Sequence, residues 1–339
     1  MKRSIIKSTG RYIPERLVTN DDLTKWMDTT DEWIRQRTGI EQRYWIDEAG
    51  GVGASDLGLE ASKIALERAG WKPEDIDLII FATLSPDVNF PGSGCLLQYK
   101  LGLSTTPALD IRQQCTGFLY GLTTADAYIR SGLANRILFV GAEVHSTGLD
   151  LSTEGRDVTV IFGDGAGAIC IEGVETDENI GVIASCLHAQ GEFYKNLFLE
   201  APASRLNPRL TLEMMNERRH YPKMDGKKIF KLALLRLPEV TKEVLDKAGI
   251  TADDIDLVFP HQANLRINQS FAKTMNWPDE KIVNNIQKYG NTTAASIPIA
   301  LDEAIESKRL KKNSTVLFIG FGAGLTWGGI IYNFGALHF

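Results

Sequence analysis

Leu109-Asp-Ile-Arg-Gln-Gln-Cys-Thr-Gly-Phe-Leu-Tyr-Gly-Leu-Thr-Thr-Ala-Asp-Ala-Tyr-Ile-Arg-Ser-Gly-Leu, residues 109–133, is the stretch from which the fold can be read. It reads as a short strand, then Cys115, then a helix. Phe118, Leu122, Ala125 and Ile129 recur at helical spacing and predict a core-facing stripe, and Gly132 stands at the stop position. Cys115 is thereby placed where the helix begins. Free backbone N–H groups and the positive end of the helix dipole favour a thiolate there. Taken alone, a cysteine in so apolar a stretch reads more simply as a small buried hydrophobe.

An internal repeat changes that reading. Leu66-Glu-Arg-Ala-Gly-Trp-Lys-Pro-Glu-Asp-Ile-Asp-Leu-Ile-Ile-Phe matches Leu245-Asp-Lys-Ala-Gly-Ile-Thr-Ala-Asp-Asp-Ile-Asp-Leu-Val-Phe-Pro at an offset of 179 residues. Ile137-Leu-Phe-Val-Gly and Val316-Leu-Phe-Ile-Gly align at the same offset. Between these matches the helix after Cys115 falls on a helix at 296–309. Strands alternating with helices imply sheets covered by helices. The chain therefore reads as two duplicated α/β halves, 1–175 and 176–339, with their central helices buried between sheets. Cys115 and the segment 291–294 take pseudo-symmetric places.

Outward from this core, strands are expected at 4–9, 76–82, 137–141, 158–162, 166–172, 180–188, 255–259, 315–319 and 325–333. Asn20 is expected to cap a short helix from Asp21 to about Met27, and Thr30 a second, Asp31 to Arg37, ending at Gly39. A helix at 55–69 is capped by Ser55 and stopped by Gly70. Further helices are expected at 94–100, 226–248, 264–275 and 294–309. The segment 190–224 reads as a long irregular loop, and a loop this long inside a compact domain is often functional.

With 43% apolar and 24% charged residues, the composition is that of a globular enzyme with a sizeable core. A net charge of -6 disfavours general nucleic-acid binding. The four cysteines show no Cys-x-x-Cys spacing, which points to a reducing compartment. No apolar run suits a signal peptide or a membrane span, so a cytoplasmic protein with no membrane insertion is expected.

Three polar residues converge on the proposed layer edge. Cys115 begins one central helix, Asn291 precedes the other, and His261 ends a buried strand. Strand ends and helix starts on one side of an α/β layer are where sites are built. A thiolate, an imidazole and a carboxamide suit acyl transfer through a thioester. Gly163-Asp-Gly-Ala-Gly-Ala has the loose spacing of a dinucleotide loop, but a strand follows where a helix is needed, so it reads as a tight turn. Phe321-Gly-Ala-Gly follows a strand, and its small residues let backbone amides approach an oxyanion.

Asp31-Glu-Trp-Ile-Arg-Gln-Arg-Thr-Gly-Ile, Cys115-Thr-Gly-Phe, Phe162-Gly-Asp-Gly-Ala-Gly-Ala, His261-Gln-Ala-Asn-Leu-Arg-Ile, Gly290-Asn-Thr-Thr-Ala-Ala-Ser and Phe321-Gly-Ala-Gly-Leu-Thr-Trp-Gly occur in this order. Together they resemble the β-ketoacyl-acyl-carrier-protein synthase III family of thiolase-superfamily condensing enzymes, over nearly the whole chain. The resemblance implies a thiolase-like fold of α-β-α-β-α layers. It implies decarboxylative condensation of an acyl-CoA primer with malonyl-acyl-carrier protein through an acyl-Cys115 intermediate, initiating fatty acid or related polyketide-type synthesis. His261 and Asn291 would be the donors to the malonyl thioester, and the amides of Cys115 and Ala323 the oxyanion hole. Many relatives carry glycine at 323. Trp33, Arg37 and Arg156 would hold the CoA nucleotide, and Gly226 and Asn264 would line the pantetheine channel. Lys231, Arg266 and Lys273 would dock the acyl carrier protein. Phe90 would reach across a homodimer into the partner's acyl pocket. No metal or cofactor is implied, since acyl-CoA and malonyl-acyl-carrier protein are substrates.

The segment 190–224 is longer than expected for short-primer members, and its methionines suit adaptable apolar contact. Gln113-Gln114 also departs from the small residues common before the cysteine. Both bear on the acyl pocket and suggest a primer other than acetyl. Three other readings fit the same residues: a related acyltransferase with a different acceptor, a Cys-His-Asn hydrolase, and a non-catalytic binding relative.

Overall fold

The structure, a computed structural model, describes residues 1–47 and 49–335. Lys2–Tyr12, Leu78–Ala82, Ala108–Ile111, Arg136–Glu143 and Gly165–Glu175 form a five-stranded sheet. Its spatial order is 2–12, 165–175, 136–143, 78–82, 108–111. The strand 78–82 runs parallel to both of its neighbours, and the other pairs are antiparallel. A four-stranded sheet has the order Leu257–Pro260, Thr315–Gly322, Thr326–Asn333, Gly181–Ala189, with only its first pair parallel.

The offset of 179 residues holds at boundary after boundary. Lys2 falls on Gly181, Leu78 on Leu257 and Arg136 on Thr315, each opening a strand. The helices Ala54–Ala69 and Gly226–Ala248 end at matching residues. Gly117–Ser131 and Ser296–Glu306 begin at matching residues.

The last two helices lie between the sheets. Phe118, Leu122 and Ile129 from the first and Ile297, Ala300 and Leu301 from the second share one core with Ile80, Phe139 and Ile169 of one sheet and Phe259, Phe318 and Ile330 of the other. Phe118 packs edge-on against Phe139 at 5.5 Å and against Phe318 at 5.1 Å, so one ring ties both sheets to the central helix. Burying such a ring contributes roughly 1.5–3 kcal/mol. Leu57, Ala61 and Ala65 of the helix Ala54–Ala69 cover the outer face of the first sheet. Ala233, Leu237, Val240 and Val244 cover that of the second. The result is the expected five-layer α-β-α-β-α arrangement. Its middle layer is tight: a Cβ at Gly141 would stand 2.5 Å from the Ala294 carbonyl oxygen.

Several local expectations need correction. The N-cap of the first short helix, Asn20–Leu23, is Thr19, in a capping box with Asp22. Gly53 with Asp56 caps the helix Ala54–Ala69, while the Ser55 hydroxyl donates to Asp87. A strand at 158–162 does not form: Arg156–Thr159 is one helical turn. Side chains occupy carbonyls that a ladder would need, Arg43 donating to Val160 at 2.7 Å and Trp45 to Phe162 at 3.1 Å. The segment 190–224 is not wholly irregular. Leu197–Phe198 pairs with Lys223–Met224, Leu212–Asn216 is a short helix, and Arg218 Nε donates to Asp150 at 2.7 Å. The Gly163-Asp-Gly turn is built around buried Asp164, which accepts from the amides of Ile46, His145 and Ser146.

Candidate active site

Cys115 lies in a single 3₁₀ turn, Gln114–Thr116, directly before the central helix. Its pseudo-symmetric counterpart is the turn Thr293–Ala295 before the second helix. The first residue of each turn has a left-handed backbone, Gln114 at φ 44° and Thr293 at φ 47°. Neither is glycine, so both halves hold strained backbone at the same place, a pattern associated with functional sites. The thiol is buried, and burial pushes it up to about 12. The amides of Ala323 and of Cys115 itself hydrogen-bond the sulfur and act the other way, while the nearby charge of Glu143 adds to the rise. Glu143 is itself pushed up to about 7 by burial. The helix-start argument for a resting thiolate is therefore corrected: desolvation outweighs the amides, and the resting group is a thiol.

His261 follows the strand Leu257–Pro260 and is 3% exposed. Its Nδ1 lies 2.8 Å from Ser296 Oγ, which also accepts from the Gln262 amide at 3.4 Å. In the tautomer in which the Ser296 hydroxyl donates to Nδ1, the ring proton stands on Nε2. Nε2 is buried and has no hydrogen-bond partner among the described residues. Burial pushes the imidazole down to about 3, so it is neutral around pH 7. Asn291 Oδ1 accepts from the Thr293 amide at 2.8 Å, which fixes the carboxamide orientation. Its Nδ2 makes no hydrogen bond among the described residues.

Cys115, His261 and Asn291 line one cavity of about 120 Å³. Asn264 and Gly226 line the same cavity. A second cavity of about 400 Å³ meets the first at Cys115, Phe162 and Leu197. The nucleophile candidate thus stands at a junction of two spaces, with the two candidate donors on the first. Ala323 lines the second. Leu197, Phe198, Leu199, His220 and Pro222 wall the second, so the segment 190–224 shapes it directly.

Other sequence-selected residues fall into separate groups. Trp33 is approached by the guanidinium of Arg37 at 4.2 Å and of Arg156 at 4.9 Å. None of the three lines either cavity. Asn264 Nδ2 donates to the Arg37 carbonyl at 2.9 Å, which joins this cluster to the mouth of the first cavity. Lys231, Arg266 and Lys273 are exposed on two helices, Gly226–Ala248 and Leu265–Thr274, that pack together. Phe90 is 83% exposed and lines neither cavity of its own chain. Among the described residues no cluster of three His, Cys, Asp or Glu could hold a metal ion, and no helix is long and apolar enough to cross a membrane.

Sequence reasoning did not single out Ser296, although it closes the Gly-Asn-Thr-Thr-Ala-Ala-Ser motif, nor His145, Glu143 or the wall of the second cavity. It noted Gly322 only as small. In the structure a Cβ at 322 would stand 2.3 Å from Cys115 Cβ and 2.5 Å from its sulfur. Gly322→Ala is therefore expected to cost about 1–3 kcal/mol of stability and to displace the thiol, lowering the rate of Cys115 acylation. Denaturant melts and a thiol-labelling rate check it, and an alanine variant with wild-type stability and labelling would contradict it.

The 3-oxoacyl-[acyl-carrier-protein] synthase III model matches residues 109–191, and the C-terminal model of the same enzyme matches 245–334. The β-ketoacyl-[acyl-carrier-protein] synthase III of Caldanaerobacter subterraneus subsp. tengcongensis is 43% identical over 95% of both chains. That of Erythrobacter litoralis is 44% identical over 97% of this chain and 98% of its own. The crystal structure of 3-oxoacyl-[acyl-carrier-protein] synthase III from Aquifex aeolicus superposes with a TM-score of 0.87 at 40% identity, covering 97% and 99%. Coverage is nearly equal on both sides, so this chain and these relatives have closely similar total lengths.

Proposed function

The chain belongs to the β-ketoacyl-acyl-carrier-protein synthase III family of condensing enzymes, and from that premise we propose how its own residues perform the condensation. Cys115 attacks the thioester carbon of an acyl-CoA primer. The C–S bond to CoA breaks, the acyl group stays on the sulfur, and the thiol proton ends on the CoA sulfur. The amides of Ala323 and Cys115 receive the tetrahedral oxyanion. Malonyl-acyl-carrier protein then enters the first cavity. Nε2–H of His261 and Nδ2–H of Asn291 donate to its thioester oxygen. Loss of carbon dioxide puts the electron pair on that oxygen as an enolate, held by both donors. The enolate carbon attacks acyl-Cys115, the β-ketoacyl product leaves on the carrier, and the cysteine sulfur takes a proton. Neither donor changes charge around pH 7, so neither has to act as the base once decarboxylation generates the nucleophile.

The observation that carries this reading is the pair of unengaged donors, His261 Nε2 and Asn291 Nδ2, on the cavity that ends at Cys115. Trp33 with Arg37 and Arg156 suits the CoA nucleotide by stacking and charge. Gly226 and Asn264 suit the pantetheine arm. Lys231, Arg266 and Lys273 make no ion pair among the described residues and suit an acidic carrier protein. Exposed Phe90 suits insertion into the acyl pocket of a second copy in a homodimer. The halves 1–175 and 176–339 are proposed as the duplicated units. Four free cysteines support a cytoplasmic setting. The second cavity is proposed as the acyl pocket, too large to be filled by acetyl.

Mass analysis of the product tests condensation against transfer to another acceptor. With acyl-CoA and malonyl-acyl-carrier protein, the carrier should gain a β-ketoacyl group two carbons longer than the primer, with release of carbon dioxide. A carrier bearing the unextended acyl group would favour the simple acyltransferase.

A further inference from the structure

The second cavity is not the uniformly apolar space that a saturated chain would fill. Arg112, an exposed residue at the rim, is the only lysine or arginine among the described residues of its wall, and its guanidinium makes no hydrogen bond or ion pair among them. Asp87 is the only acidic side chain on the wall and is already engaged. It accepts from the Ser55 amide at 3.1 Å and the Ser55 hydroxyl at 2.7 Å. The wall therefore carries one positive and one negative side chain, and of the two only the guanidinium has no hydrogen-bond or ion-pair partner among the described residues. His220, brought in by the segment 190–224, has a buried Nδ1 without a hydrogen-bond partner among the described residues. Leu84, Val144, Leu149, Phe162 and Phe198 supply the apolar surface between these groups. An acyl chain that suits this wall has an aliphatic stem and an anionic end.

Resting on the assignment of Cys115 as the acylated residue, we propose that the preferred primer is the CoA thioester of a short dicarboxylic acid, its free carboxylate paired with Arg112 and hydrogen-bonded by His220. A planar guanidinium can meet a carboxylate through two parallel N–H donors, which reads charge and geometry together. Two residues, Gln113 and Gln114, separate Arg112 from Cys115, so their Cα atoms lie within about 10 Å. Acyl chains of roughly four to eight carbons fit that limit. The cavity volume of about 400 Å³ has room for such a chain. An uncharged straight chain would leave the buried His220 nitrogen without a partner, while the exposed Arg112 guanidinium would keep its water.

The test is the rate of acyl transfer to the protein, followed by intact-protein mass spectrometry, with matched pairs of thioesters. Glutaryl-, adipyl- and suberyl-CoA are compared with pentanoyl-, hexanoyl- and octanoyl-CoA. At least one diacid should exceed its matched monoacid by about 10-fold or more, the size of one charge-assisted pair. In Arg112→Leu that ratio should fall to one or below, and Arg112→Lys should restore part of it. Thermal midpoints of both variants identify any folding defect. A wild-type ratio of one or less for every pair, or an unchanged ratio in Arg112→Leu, overturns the inference. If monoacids label Cys115 and diacids have no advantage, only this inference fails. If no thioester labels Cys115, the nucleophile assignment fails with it.

Discussion

Cys115→Ala is expected to abolish the acyl-enzyme and to lower condensation by about 10⁴-fold or more, while malonyl-acyl-carrier protein still loses carbon dioxide. The two halves of the reaction use different atoms. The proposed mechanism gives the acyl group one place to reside, the Cys115 sulfur at the junction of the two cavities. In the proposed mechanism the enolate is held by His261 Nε2 and Asn291 Nδ2, which alanine at 115 leaves in place. Condensation is followed by product mass and decarboxylation by carbon dioxide release. Undiminished condensation in the variant, or loss of both activities in a folded variant, would contradict the separation. Burial holds the resting thiol far above its free value, so acylation of the wild type should quicken as pH rises.

His261→Ala and Asn291→Ala should each lower condensation by about 10²–10³-fold, as for removal of one preorganised donor to a developing oxyanion. Both should still form the acyl-enzyme. Because the two donors share one oxygen, the double variant should lose less than the product of the single losses. Single-turnover rates of acylation and of condensation check this. A histidine variant that fails to acylate would instead assign His261 to the first half-reaction. The neutral state of His261 also has a stability consequence. Its folded pKa of about 3 lies below its free value. The corresponding stability is fully present above about pH 6.5 and is lost as pH falls toward 3. Across pH 7–8 the ring stays uncharged and keeps its donor role.

Much of the architecture was legible from two short matches at one offset, because duplication repeats whole structural units. Glycines at helix ends were equally readable: Gly39, Gly70 and Gly132 all adopt the left-handed cap. Cys115, His261 and Asn291 emerged because strand ends and helix starts gather at one edge of the layers. What escaped depends on contacts between distant segments. Ser296 orients His261 across 35 residues, and Gly322 touches Cys115 from the other half of the chain. The failed strand at 158–162 lost carbonyls to Arg43 and Trp45, partners that local pattern does not reveal. The thiolate expectation weighed the helix start but not the burial, and burial is set by the packed sheets. Arg112 and His220 are ordinary polar residues in sequence, and only the folded wall places them around one cavity.

The central claim is that Cys115 carries the acyl group. Incubation with a panel of acyl-CoA thioesters, followed by intact-protein and peptide mass spectrometry, tests it directly. The account predicts one acyl mass per chain, located on the peptide containing Cys115, absent from Cys115→Ala and discharged by malonyl-acyl-carrier protein. An acyl mass that persists in Cys115→Ala, or that maps to Cys95, Cys170 or Cys186, would contradict it.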